Sequence, residues 1–167
     1  MTFDVRLLST ADAAALQVLL ESVPDYTMRV SGREPGSSDA LHELTARPPG
    51  VPVERKLGLG LWDGDSLVGF ADLLIGCPRE HVAWIGLLIT HGGRHGRGLG
   101  RALHHEVVRV ARATPGIDAI GLGIVATNAA AAEPFWTALG YRPTGATKPY
   151  EDGTVTSSVA VWELELA

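Results

Sequence analysis

The segment Arg94-His95-Gly96-Arg97-Gly98-Leu99-Gly100-Arg101 decides the fold. It follows an apolar run at residues 82–90, a predicted strand, and it opens a helix predicted to end near Ala113. A helix N-terminus leaves four backbone N–H groups unsatisfied and carries about half a positive charge. Glycines let a ligand approach these groups without a Cβ in the way, and the arginines add full charges. The segment therefore predicts a cradle for a phosphate or pyrophosphate.

Three phosphate ligands and a turn without a ligand are the alternatives for this cradle. A dinucleotide-binding fold needs G-x-G-x-x-G, which Gly96 and Gly98 begin but Arg101 interrupts, and no acid closes the next strand about 20 residues on. A P-loop motif occurs nowhere in the chain. The third ligand is coenzyme A, whose pyrophosphate suits the segment. Three glycines interleaved with arginines argue against a turn without a ligand.

The charge is distributed unevenly along the chain. The sequence has 14 basic and 19 acidic side chains and a formal net charge of −5, which argues against a nucleic-acid partner. Residues 91–112 hold five arginines against one acid, Glu106, and so carry +4, which leaves −9 on the rest. The sequence therefore predicts an acidic body around a basic cradle.

Length and composition bound the class of protein. The 167 residues predict a single domain over residues 1–167, and 46% apolar with 20% charged residues is typical of a globular chain. No window approaches 18 uncharged apolar residues, and no basic region precedes an apolar run at the N-terminus. Cys77 is the only cysteine and has no internal disulfide partner. We therefore expect no membrane association and a cytoplasmic location.

The hydrophobic pattern predicts an α/β chain with a mixed sheet. Strands near 56–62 and 66–76 are joined by Asp63-Gly64-Asp65, a strong hairpin signal. Hairpins make antiparallel neighbours, whereas a β-α-β stretch can make a parallel pair. The other predicted elements are a strand at 3–8, a helix capped by Ser9 or Thr10, a short helix near 38–46 within the loop-rich stretch 24–55, a strand at 117–126, a helix at 128–139 and strands at 141–147 and 154–166.

Two motifs together resemble the GCN5-related N-acetyltransferase (GNAT) family. The family signature Q/R-x-x-G-x-G/A, between a strand and a helix, matches His95-Gly96-Arg97-Gly98-Leu99-Gly100, with His95 in place of the usual Gln or Arg. A later signature, an Asn before a helix that ends in aromatic-x-x-x-Gly-aromatic, matches Asn128 and residues 135–141. The resemblance covers the element order of nearly the whole chain. It implies the GNAT fold, an α/β (α+β) fold with a mixed, mostly antiparallel twisted sheet, a central splayed parallel strand pair and helices on both faces.

The resemblance also implies a co-substrate and a reaction. Family members bind acetyl-coenzyme A where two parallel strands splay, here 82–90 and 117–126, and an acceptor amine attacks the thioester directly. A backbone N–H of the first strand would stabilise the oxyanion. The implied cofactor-binding residues are Leu88, Ile89 and Thr90 beside the pantetheine, His95, Gly96, Arg97, Gly98, Leu99, Gly100 and Arg101 around the pyrophosphate, and Asn128 and Trp136 beyond them.

The acid–base residues of the family have no direct match. The Glu that many members use as a base is expected within residues 83–86, which contain no acid. The candidate catalytic residues are therefore Asp72, on the preceding strand, and Glu80, with His81 beside it. Asp72 either acts as the base or lies on a solvent-exposed face of its strand. Trp136 stands where members often carry a Tyr that protonates the thiolate, so water or the helix dipole would help the thiolate leave.

The acceptor is left open as a small-molecule or peptide amine. The stretch 24–55 carries Tyr26, Arg29, Arg33, Glu34 and His42, which line an acceptor site or a solvated loop. The absent Glu leaves two alternatives to an enzyme, a non-catalytic coenzyme A-binding module and an interaction protein that binds another phosphate ligand. Members of the family are often dimers, so a homodimer is compatible with the resemblance.

The histidine pairs do not predict a metal site. His91 and His95 are four residues apart, and His104 and His105 are adjacent, but Glu106 is the only acid nearby. In the predicted helix, the apolar face is formed by residues such as Leu99 and Leu103. His104 and His105 are expected on its other faces.

Overall fold

The computed structural model describes residues 2–167 and contains one seven-stranded sheet in the order β1-β2-β3-β4-β5-β7-β6. All neighbouring strands are antiparallel except β4 and β5, so the predicted mixed sheet with a central parallel pair is confirmed. The strands are β1 Asp4–Leu7, β2 Lys56–Asp63, β3 Ser66–Ile75, β4 Val82–Thr90, β5 Ala119–Val125, β6 Arg142–Asp152 and β7 Val155–Glu165. The helices are α1 Ala13–Glu21, α2 Pro24–Ser31, α3 Asp39–Thr45, α4 Leu99–Ala113 and α5 Ala129–Ala138.

The parallel strands β4 and β5 separate halfway along their length. They pair from Val82 with Ala119 to Ile85 with Leu122, and no further. The next residue of β4, Gly86, has no partner on β3, because Ile85 pairs with Leu73 and Leu87 pairs with Asp72. A residue without a partner bends a strand. The bulge at Gly86 thus lies where β4 leaves β5, and a cleft opens beyond it.

The helices cover both faces of the sheet. Leu99, Leu103, Val107 and Ala111 of α4 are buried at every fourth position and pack with Trp136 of α5 on one face. Leu16 and Leu19 of α1 and Ala40 of α3 pack against the other face. Among the helices of residues 2–167, none is long and apolar enough to cross a membrane.

Local signals explain most element ends. Ser9 forms the predicted cap, in a capping box with Asp12 that starts the turn before α1. The turn between β2 and β3 contains Gly64 with φ of +59°, as the Asp-Gly signal predicts.

Two stretches differ from the sequence prediction. Residues 24–31 form α2, although the sequence predicts a loop; Pro24 stands at its start and Gly32, with φ of +70°, caps its end. The strand predicted at 141–147 continues to Asp152, and the turn that follows is Gly153-Thr154. Both stretches are polar in sequence, and contacts between them hold them in place. Ser31 donates to Asp152 Oδ2 at 2.6 Å, and Tyr150 donates to the Val30 carbonyl at 2.9 Å.

Candidate active site

A cleft of about 780 Å³ opens between the separated ends of β4 and β5. The C-terminal part of β4, the glycine turn, the first turn of α4 and the helices α2 and α5 form its walls. The residues with predicted cofactor roles that line it are Leu88, Ile89, Thr90, His95, Gly96, Gly98, Leu99, Gly100, Arg101, Asn128 and Trp136. Arg97 belongs to the same turn and is exposed, but it does not line the cleft.

The glycine turn presents backbone groups to the cleft. Gly96 and Gly98 have φ of +79° and +78°, a conformation that favours glycine, and apart from each glycine and its two chain neighbours no atom of residues 2–167 lies within 4 Å of the Cβ positions they lack. Gly98 is the N-cap of the fifteen-residue helix α4 and offers no side chain to the first N–H groups. These groups and the helix dipole therefore remain available to an anion.

Gly100 and Arg94 have different roles from the other turn residues. A Cβ on Gly100 would lie 3.0 Å from Phe135 Cε2, so this glycine lets α5 pack against the start of α4. Arg94 lines the cleft, but its guanidinium is paired with Asp63 at 2.5 Å. The charge of Arg94 is thus partly neutralised. Arg101 also lines the cleft, and within the described part of the chain it forms no ion pair.

Helix α2 brings side chains into the cleft from the stretch predicted as a loop. Tyr26 and Arg29 both line it. Arg29 Nε donates to Asn128 Oδ1 at 2.7 Å, across 99 positions of sequence. Arg33, Glu34 and His42, the other candidates from this stretch, are exposed outside the cleft, and Arg33 is paired with Asp39.

Asp72 is buried, and the alternative that it lies on a solvent-exposed face is wrong. Its side chain is 9% exposed, and Oδ1 accepts from Lys56 Nζ at 2.7 Å. The other oxygen, Oδ2, lies 2.5 Å from the position of a Cβ on Gly86. Burial raises the pKa of the Asp72 carboxyl, and the hydrogen bond and charge of Lys56 oppose that rise. The second oxygen of Asp72 thus lies at the bulge of β4, although Asp72 is not among the residues that line the cleft.

Glu43 is a second half-buried carboxylate that the sequence analysis missed. It belongs to α3, and no cation of residues 2–167 lies within 4.0 Å of it. Burial and the charge of Asp72 raise the pKa of Glu43, whereas Lys56 lowers it. The predicted helix near 38–46 contained this residue, but only packing of α3 against the sheet brings it near Asp72.

Glu80 and His81 lie away from the cleft. Both line a separate cavity of about 550 Å³ together with Arg55 and residues 115–117, and both are exposed. Glu80 precedes β4, and at about 3.3 Å per strand residue the part of β4 from Val82 to Leu88 alone spans about 20 Å. The structure therefore does not bring Glu80 together with the other predicted site residues.

Trp136 joins the cleft to a buried aromatic cluster. Its ring packs edge-on against His104 and Tyr141, and His104 Nε2 lies 2.9 Å from the Tyr141 hydroxyl. The expectation that His104 lies off the apolar face is wrong, because it is 6% exposed. Burial lowers the pKa of His104 to about 4 and raises the pKa of Tyr141. Tyr141 packs in the core.

Side chains that could bind a metal ion do not cluster within the described residues. Within residues 2–167, no group of three or more His, Cys, Asp and Glu side chains could hold a metal ion.

Comparison with known proteins gives one family. The sequence profile of the acetyltransferase (GNAT) family matches residues 21–141. No curated protein sequence matches the chain.

Several solved structures share the fold at low sequence identity. An acetyltransferase from Thermus thermophilus is 24% identical with a TM-score of 0.75, over 99% of this chain and 98% of that chain. The ribosomal-protein-S18-alanine N-acetyltransferase from Escherichia coli is 18% identical with a TM-score of 0.69, over 99% and 95%. Arabidopsis thaliana NAA60, solved with a bisubstrate analogue, is 14% identical with a TM-score of 0.71, over 99% and 98%.

Proposed function

Since the chain belongs to the GNAT acetyltransferase family and is an acetyl-transferring enzyme, we propose that it transfers the acetyl group of acetyl-coenzyme A to a primary amine by direct attack. One observation carries the proposal: the strand separation after Ile85 and Leu122 coincides with the glycine turn at the start of α4, in one cleft. Family membership argues against the two alternatives, a non-catalytic module and an interaction protein.

The residues of the cleft fit coenzyme A. The edge of β4 that faces β5 has no strand partner beyond Ile85 within residues 2–167, so backbone groups of residues 88–90 are free to pair with the pantetheine amides. The N–H groups at the start of α4 suit a pyrophosphate, with Arg101 as a charge beside them. Asn128 lies where it can hydrogen-bond the pantetheine.

Asp72 is the proton acceptor that we propose for the amine. Acetyl-coenzyme A supplies an acetyl group activated as a thioester. Asp72 Oδ2 takes a proton from the acceptor ammonium, directly or through water, and the neutral nitrogen then forms the new C–N bond as the C–S bond breaks. Coenzyme A leaves as the thiolate, and the proton that the acylated nitrogen loses passes through water to this sulfur. A backbone N–H of β4 near Leu88 donates to the carbonyl oxygen. The indole of Trp136 has no acidic proton to give to the sulfur.

The size of the cleft is compatible with two classes of acceptor. Both a small-molecule amine and a peptide amine are compatible with a cleft of this size, and one enzyme of the same fold is named for an alanine of ribosomal protein S18. The cytoplasmic location, the homodimer and the single-domain organisation stay predictions of the sequence.

Two measurements test the proposal. Calorimetric titration with acetyl-coenzyme A is expected to show binding, and a panel of small amines and peptides is expected to give thiol release with at least one acceptor. Asp72→Asn is expected to lower kcat about 100-fold, the contribution typical of general-base catalysis, with coenzyme A binding retained. Absence of binding at millimolar acetyl-coenzyme A would reject the assignment of the cleft.

A further inference from the structure

Arg29 is a half-buried cation of the cleft without a counter-charge among residues 2–167. It lies in the last turn of α2, and no carboxylate of these residues lies within 4.0 Å of its guanidinium. Only Nε makes a hydrogen bond, to Asn128 Oδ1, so the terminal N–H donors of the fork have no partner in this part of the chain. Such a fork matches the two oxygens of a carboxylate.

Carboxylates lie near the side chain of Tyr26 as well. This side chain lines the cleft one turn before Arg29. Burial raises its pKa, the charges of Glu43 and Asp152 raise it further and that of Arg29 lowers it, so these three charges are close to it. Beyond Glu43 lie Asp72 and Lys56, which form an ion pair. With both carboxylates ionised, these three groups carry a net charge of −1. The region around Tyr26 therefore combines the Arg29 cation beside Asn128 with nearby carboxylates, and Asp25 in the cleft lining is one of them.

We propose that the acceptor is an amino acid or a closely related amino carboxylate, and that Arg29 binds its carboxylate. The inference rests on the proposed function and names the substrate class of the same site. With the carboxylate on Arg29, the ammonium group of the acceptor faces Glu43 and Asp72, and its proton passes to Asp72 Oδ2. Arg29 is then a specificity-determining residue, and its bond to Asn128 fixes the direction of the fork.

Other anions and amines fit this arrangement less well. The coenzyme pyrophosphate has its own cradle in the backbone N–H groups at the start of α4, whose N-cap has no side chain to compete for them. The N-terminus of a peptide carries an amide carbonyl beside its amine, so it would leave the charge of Arg29 uncompensated.

The experiment compares each of the twenty standard amino acids with its primary amide, using acetyl-coenzyme A and measuring thiol release. The wild-type enzyme is expected to favour the acid of its best pair by at least about tenfold in kcat/KM, because the amide loses a charge-assisted hydrogen bond. Arg29→Gln is expected to bring this ratio close to one, mainly through KM. Arg112→Gln removes an exposed arginine at the end of α4 and is expected to keep the wild-type ratio.

Three outcomes would overturn the inference. Amides or peptides acetylated as well as the free acids would reject the carboxylate site while the proposed function stands. An Arg29→Gln variant that loses affinity for coenzyme A in calorimetry as much as for the acceptor would make Arg29 a cofactor contact. No thiol release with any amine, including amines without a carboxylate, would reject the proposed function itself.

Discussion

The carboxylate of Asp72 on β3 fills the space above Gly86 on β4, with Oδ2 2.5 Å from the point where a Gly86 Cβ would lie. Gly86 is exposed, and it is the residue at which β4 bulges and leaves β5. No acid stands on β4 itself. The neighbouring strand therefore brings a carboxylate to the bulge of β4, beside the lining of the cleft rather than within it, because a glycine leaves room for it.

The contact between Asp72 and Gly86 predicts the effect of a single methyl group. Gly86→Ala places a Cβ 2.5 Å from Oδ2, so the carboxylate must move, and we expect kcat to fall about tenfold or more in steady-state assays. If the alanine acts only through Asp72, the double variant with Asp72→Asn loses no more than Asp72→Asn alone. Losses that multiply in the double variant would contradict this relationship.

Lys56 predicts how the reaction depends on pH. Its ammonium favours the ionised form of Asp72, so Lys56→Met raises the pKa of the carboxyl further. A base with a raised pKa is protonated at higher pH, and the acid limb of the kcat/KM profile is therefore expected to move to higher pH. Arg55→Met, which removes an exposed cation of the other cavity, is the control and leaves the limb in place. An unchanged limb in Lys56→Met would mean that another group accepts the proton.

The parts of the site that can be predicted from the sequence are those carried by contiguous motifs. The glycine turn can be recognised because its backbone conformation requires glycine and because a helix begins there. Asn128 belongs to a short signature with the helix that follows it. Each can be placed without knowing what packs against it. The Asp-Gly hairpin and the Ser9 cap are local in the same way.

The residues that could not be predicted depend on contacts between distant segments. Asp72 is buried because it pairs with Lys56 on β2, and Arg29 enters the cleft because it bonds to Asn128, 99 positions away. Helix α2 has a polar sequence, and its contacts with β6 and β7 hold it in place. The sequence predicts His104 to be a surface residue of α4, because its hydrogen-bond partner, Tyr141, lies on a distant segment of the chain.

A side chain at Gly98 is predicted to have two separate effects: it strains the backbone, and it blocks the backbone N–H groups of the turn. The φ of +78° at Gly98 makes any L side chain strained there by about 1–2 kcal/mol, but beyond its two chain neighbours no atom of the described chain lies within 4 Å of the Cβ position, so the fold has room for a side chain. Gly98→Trp is expected to cover the backbone N–H groups of the turn and to weaken binding of acetyl-coenzyme A by more than tenfold in calorimetry.

Gly50→Trp supplies the matched control for the Gly98 variant. Gly50 has φ of +83° and equally open space, but it lies outside the cleft. We expect a similar loss of stability and unchanged binding. If Gly98→Trp binds acetyl-coenzyme A with wild-type affinity, the turn does not hold the pyrophosphate.

His104 predicts a loss of stability in mild acid. Burial lowers its pKa from 6.5 to about 4, so the folded state holds the neutral ring and the unfolded state binds the proton more readily. The stabilising contribution is complete above pH 6.5 and is lost as pH falls toward 4. Between about pH 7 and pH 5 the wild-type protein is expected to lose about 2 kcal/mol of unfolding free energy from this group, measured by urea titration.

The double variant His104→Phe/Tyr141→Phe removes both hydrogen-bonding partners together and is expected to lose about 2 kcal/mol less than the wild type over the same interval. The control His105→Gln changes the exposed neighbour and is expected to keep the wild-type dependence of stability on pH. Equal losses in the wild type and the double variant would show that other groups cause the acid sensitivity.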